Sequence, residues 1–133
     1  MKTMMPFWRK SAYFAGWLLI VAITALSLVP AALRPETNIP HSLEHFAIFW
    51  LTGFAFGFAY DRWPIVIMIA LVMFSGAVEL AQRFVPDRHA RISDFIVDAL
   101  GACIGATIAL VIARAAARKL DKHENRRGFG RVD

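Results

Sequence analysis

The sequence predicts an all-α protein, a four-helix transmembrane bundle with both termini in the cytoplasm. Three observations lead there. Of 133 residues, 58% are hydrophobic, whereas soluble domains run near about 45–50%. A chain this short would lack the polar surface to cover itself in water. Four apolar runs are long enough to cross a bilayer, which takes about 17–25 residues in a helix. The Lys and Arg residues also divide unequally between the two ends those runs define.

The first run, residues 11–29, contains no charged residue. Lys2, Arg9 and Lys10 precede it, as they would precede a signal peptide. Its apolar part is longer than the roughly 7–15 residues of a signal core, so it reads as a retained span. The second run, 43–60, takes in Glu44 and His45. The third, 64–84, takes in Glu79, and the fourth, 93–113, takes in Asp94 and Asp98. None of these runs alternates in polarity, which argues against the strands of a membrane β-barrel. Residues 1–113 therefore read as one transmembrane domain and 114–133 as a basic cytoplasmic tail. Arg114, Arg118 and Lys122 recur every fourth residue, as on one face of a helix leaving the membrane. The final stretch from Glu124 onward is polar enough to be disordered.

Lys and Arg are enriched on cytoplasmic flanks. With four spans, Arg34, Arg83, Arg88 and Arg91 fall on one side, and the other 11 of the 15 Lys and Arg residues on the other. That majority places both termini inside the cell. Trp8, Tyr13, Tyr60 and Trp63 then sit at the cytoplasmic interface, where aromatic anchors are common. The basic charges lack the interleaved aromatics or folded module of a nucleic-acid reader, so no nucleic-acid partner is expected. Membrane lipids are the expected partners of this surface.

Every acidic group that a span absorbs after the first then lies toward the outer side. His45 is in the first turn of the second run. Glu79 and Gln82 are three apart near the end of the third, and Asp94 and Asp98 are four apart at the start of the fourth. A carboxylate facing lipid is unfavourable, by about 2.5–3.5 kcal/mol for Asp at a helix centre. Such groups turn inward and pair. His45, Arg83, Arg88 and Arg91 are the available partners, and a shared cluster of Glu79, His45, Arg88 and Asp94 with Gln82 satisfies them together. Plainer readings stand beside this one. Ser93 and Asp94 suit the capped start of a helix, His45 suits an interface, Arg88 and Arg91 suit a solvated loop, and Glu79 suits a structural hydrogen-bond anchor.

Two GxxxG patterns, Gly53 to Gly57 and Gly101 to Gly105, permit close backbone approach in lipid. Packing within the chain is their expected use; a homo-dimer through these faces is the alternative. The one cysteine, Cys103, allows no intrachain disulfide, and no HExxH or CxxC motif is present. No metal and no cofactor are expected.

The order His45-Phe46, then Glu79-x-x-Gln82-x-Phe84-x-Pro86-x-Arg88, then Ser93-Asp94 and Gly101-x-x-x-Gly105 resembles the VanZ-like family. These are small bacterial membrane proteins named for a teicoplanin-resistance accessory protein. The resemblance covers residues 40–113. Members often carry Asp-Lys shortly before the histidine, where this chain has His41-Ser42, and Asn one turn after the aspartate, where it has Asp98. The resemblance implies a bacterial inner-membrane protein of the cell envelope acting near the outer surface, where lipoglycopeptides meet cell-wall precursors. Three functions remain open. One is non-enzymatic binding of a polar or anionic group, such as a lipid-linked precursor or lipoglycopeptide, by His45, Glu79, Gln82, Arg88, Asp94 and Asp98. Another is a head-group enzyme using His45, Glu79 and Asp94 as its acid and base. The third is a small proton-coupled transporter using Glu79.

Overall fold

The computed structural model describes residues 7–30, 33, 38–86 and 90–129; beyond residue 119, only the side chain of Lys122 is described. The elements are α1 (Phe7–Leu28), α2 (His41–Ala59), α3 (Pro64–Gln82) and α4 (Ile92–Phe129), with no strand among the described residues. All four are long and apolar enough to cross a membrane. The 19 residues of α2 or α3 rise about 28 Å at 1.5 Å per residue, close to the roughly 30 Å of a hydrocarbon core.

Prolines set several ends. Pro64 occupies the first turn of α3, where a missing N–H costs nothing. Pro40 precedes α2, and its carbonyl accepts the N–H groups of Leu43 and Glu44 at 2.9 and 3.2 Å. After Gln82 the chain tightens into turns, with Phe84 N donating to Ala81 O at 3.1 Å and Val85 N to Gln82 O at 3.1 Å. Pro86 has no N–H with which to continue the helix.

The fourth helix does not stop with its apolar run. It continues to Phe129, so Glu124–Phe129, which the composition marks as disordered, are helical. Elongating an existing helix adds one hydrogen bond per residue fixed, whereas starting one is costly. The stretch from Ala113 to Lys119 is rich in Ala, Arg and Lys, all strong helix formers.

Contacts establish the helix directions. Arg9 near the start of α1 meets Ala59 and Asp61 just at and beyond the end of α2, and Gly16 packs on Phe56. α1 and α2 are therefore antiparallel. α3 and α4 are antiparallel too, with Gly76 near Phe95 and Glu79 at Arg91. α2 and α4 run parallel, since Gly53 and Gly57 pack on Ala102 and Ala106, while Gly101 and Gly105 pack on Phe46 and Trp50. The end of α1, the start of α2, the end of α3 and the start of α4 thus gather at one end of the bundle. The start of α1, the Tyr60–Trp63 turn and the continuation of α4 lie at the other.

The glycine contacts are backbone to backbone. A Cβ on Gly53 would overlap the Ala102 carbonyl, and one on Gly105 the Trp50 carbonyl; one on Gly101 would stand 2.7 Å from Phe46 O. Small residues let the two helices touch where apolar burial offers no drive, because lipid is equally apolar. Ile23, Phe49, Phe56, Leu71, Val78 and Ala102 form the core. The outward faces are also apolar, with Phe14, Leu18, Ile65, Ile69, Met73 and Val111 all exposed. The buried polar residues lie inside: Thr52, Ser75 and Asp98 are fully covered. Thr52 and Ser75 hydroxyls donate to their own helices, at Ile48 O (2.7 Å) and Val72 O (2.9 Å). Hydrophobic outside and polar inside is the arrangement a lipid solvent selects.

Candidate functional site

Two i, i+4 pairs on parallel helices make the first half of the site. His41 and His45 are one turn apart on α2, and Asp94 and Asp98 one turn apart on α4, so each pair shares a face. The α2–α4 register sets them opposite each other. His45 Nδ1 lies 3.0 Å from Asp98 Oδ1 and 3.2 Å from Oδ2. His41 Nε2 lies 3.9 Å from Asp94 Oδ2, and the two imidazoles meet edge to face with centroids 4.3 Å apart. Ser93 Oγ donates to Asp94 Oδ1 at 3.3 Å. Asp98 is 0% exposed, so its carboxyl group has lost all water, and His45 supplies the hydrogen bond that a buried polar group requires. In the neutral tautomer whose Nδ1–H donates to Asp98, the His45 ring carries its free lone pair on Nε2.

Glu79 makes the second half. It lies near the end of α3, is 7% exposed, and shares this end of the bundle with Asp94, Asp98 and His45. Its Oε1 accepts the backbone N–H of Arg91, the residue just before α4. Arg91 O in turn accepts Asp94 N at 3.0 Å and Phe95 N at 3.3 Å. Arg91 is therefore the N-cap, and Glu79 supplies from a neighbouring helix a carboxylate at the positive end of α4. Ser93 and Asp94 are the second and third residues of the helix rather than its cap. The anchoring role for Glu79 is real, but it uses one oxygen. Glu79 Oε2 and Gln82 Nε2 are buried, and neither has a hydrogen-bond partner among the described residues.

Beside Glu79 a groove of about 230 Å³ opens between α3 and α4. Gly76, Leu80, Ile92 and Phe95 give it apolar walls, and Arg83 and Arg91 line it as well. Both arginines are exposed, and among the described residues neither guanidinium has an ion-pair partner. The groove thus combines an acceptor inside, cations outside and an apolar flank. Among the described residues no group of three or more His, Cys, Asp or Glu is arranged to share a metal ion.

His45, Glu79, Asp94 and Asp98 are all brought to this end of the bundle, with Gln82 buried a turn beyond Glu79. Arg88 lies outside the described residues. His41 is the residue that sequence reasoning missed. It lies one turn before His45 on α2, and its Nε2 faces Asp94. The signal was the repeated four-residue spacing, His41 to His45 and Asp94 to Asp98, which on parallel helices makes two rungs of one ladder.

A family model described as VanZ/LLP1 matches residues 3–113. The match takes in α1 as well as the 40–113 stretch that carries the motifs. No curated protein and no solved structure matches the chain.

Proposed function

This chain belongs to the VanZ/LLP1 family, and we propose that it is a bacterial inner-membrane protein whose polar end faces outward and binds a phosphate-bearing lipid head group, as on a lipid-linked cell-wall precursor. The observation that carries this reading is the α3–α4 groove, where Arg83 and Arg91, neither ion-paired among the described residues, stand beside the buried carboxylate of Glu79. Guanidinium groups bind phosphate oxygens through charge-assisted hydrogen bonds, roughly twice as strong as neutral ones. At the bilayer surface they face less competition from water than in bulk solvent. Arg88, five residues beyond Arg83 in sequence, adds a third cation to the same connection.

The size of the groove favours a head group over a whole antibiotic. Drug-sized ligands occupy clefts of about 300–1,000 Å³, and about 230 Å³ is smaller than that. A lipoglycopeptide would therefore engage this site through one acidic group, with its bulk outside. Resistance to such a compound would follow from competition at the precursor head group. The outward orientation rests on the charge asymmetry, with 11 of 15 Lys and Arg residues on the opposite side.

The buried His45–Asp98 pair favours a second reading, a head-group enzyme. A carboxylate on Nδ1 orients an imidazole so that Nε2 can act as a base. In that case Asp98, rather than Glu79 or Asp94, is the orienting group.

Mass spectrometry of lipids retained on gently purified protein separates the two readings. The binding reading expects Arg91→Ala and Arg88→Ala to lose phosphate-bearing lipid, while His45→Gln keeps it and no lipid is chemically altered. Equal retention in all variants contradicts it. A processed head group that appears with the wild type and vanishes with His45→Gln establishes the enzyme.

A further inference from the structure

The groove asks for more than an anion. Glu79 Oε2 belongs to a residue only 7% exposed, and no described donor reaches it. A buried acceptor without a donor is costly, and a carboxylate more so than an amide. Among the described residues no cation pairs with this carboxylate: Asp94 and Asp98 on α4 are acidic, and Arg91 reaches it through its backbone N–H. What would complete it is a donor, best a cationic one. One turn further along α3 stands Arg83, on the same face and about 6 Å along the axis. Arg83 asks for the opposite chemistry, an anion. An acceptor and a cation side by side describe a zwitterion: phosphate toward Arg83 and Arg91, ammonium toward Glu79. The apolar wall of Leu80 and Phe95 leaves room for the start of an acyl chain.

Resting on the head-group reading above, we infer that the α3–α4 groove selects a phospholipid whose head group carries a primary ammonium beside its phosphate, the phosphoethanolamine class. The ammonium donates N–H to Glu79 Oε2 in a charge-assisted hydrogen bond. A trimethylammonium head group carries the same charge and phosphate but has no N–H to give. A glycerol head group has hydroxyl donors but no positive charge.

The test places the full chain in nanodiscs holding equal amounts of phosphatidylethanolamine, its N,N-dimethyl analogue, phosphatidylcholine and phosphatidylglycerol. Native mass spectrometry then reads which lipids stay bound. The wild type is expected to retain phosphatidylethanolamine over phosphatidylcholine by about tenfold, the worth of one charge-assisted hydrogen bond. Glu79→Gln keeps an acceptor for the Arg91 amide and is expected to erase that preference while still binding phospholipid. Equal retention of phosphatidylethanolamine and phosphatidylcholine by the wild type would overturn the inference, and so would a preference for phosphatidylglycerol. That comparison needs no variant, so a misfolded Glu79→Gln cannot obscure it. Arg83→Ala and Arg91→Ala are expected to lower retention of all four lipids; both leave the Glu79 carboxylate and the Arg91 N–H in place. If neither lowers any of them, it is the underlying head-group reading that fails.

Discussion

The two seams that α4 makes with its neighbours are built on opposite plans. Against α2 it packs backbone on backbone through Gly53, Gly57, Gly101 and Gly105. There the polar residues meet as rungs, His45 on Asp98 and His41 toward Asp94. Against α3 the contact is looser. Gly76 would tolerate a Cβ at 3.4 Å from Phe95, a groove opens, and Glu79 and Gln82 each keep a buried polar atom unmet by any described residue. The closed seam spends its polar groups on holding two helices in register. The open seam leaves some available. The proposed head-group site belongs to the open α3–α4 seam, and close helix packing to α2–α4.

Breaking the closed seam should do the most damage. Gly105→Leu drives a side chain into the Trp50 carbonyl, and overpacking of this kind against backbone exceeds the usual range of about 1–3 kcal/mol for a core misfit. The expected result is loss of the folded bundle, seen as aggregation in a fluorescence-detected size-exclusion profile. A normal profile would show that the helices can separate there without harm.

Asp98→Ala comes next. It strips the buried His45 ring of its partner, and leaving a buried polar group unsatisfied costs about 1–3 kcal/mol. Asp98→Asn keeps an acceptor and should recover much of that loss in a thermal stability series. Equal destabilisation by both variants would mean that charge, rather than the hydrogen bond, holds the rung.

The open seam should respond differently. Glu79→Ala removes the cap on Arg91 N–H, a loss of about 1 kcal/mol by analogy with other N-caps. It should also uncouple the start of α4 from α3, read as faster hydrogen exchange at Ile92–Phe95. Smallest in stability is Arg91→Ala, within about 0.5 kcal/mol for an exposed side chain. Its effect should appear in retained lipid instead. A variant that keeps its melting temperature and loses its lipid would separate the two seams cleanly.

The closed seam was the more legible of the two in the sequence. GxxxG on two runs signals close approach, and acids and a histidine at matching depths signal a shared cluster. What remained hidden depended on the register between α2 and α4. His41 becomes a partner of Asp94 only once the helices are known to run parallel with Gly101 on Phe46. Glu79 looked unnecessary to any helix because its helix is not the one it caps. The capped amide lies 12 residues away, across a turn, beyond what local capping patterns reveal. The helical run to Phe129 was missed because polarity was read as disorder, although Ala, Arg and Lys extend a helix well once it has started.

A lipid head group seated in the open α3–α4 seam is the proposal on which the rest depends. Photo-crosslinking tests it most directly. A phospholipid with a diazirine on its head group is incorporated with the full chain in vesicles, irradiated, and its adducts mapped by peptide mass spectrometry. Adducts are expected to concentrate between Gly76 and Phe95 and to fall with Arg91→Ala. Adducts spread evenly over the outer faces of α1 and α2, or unchanged by that substitution, would contradict it.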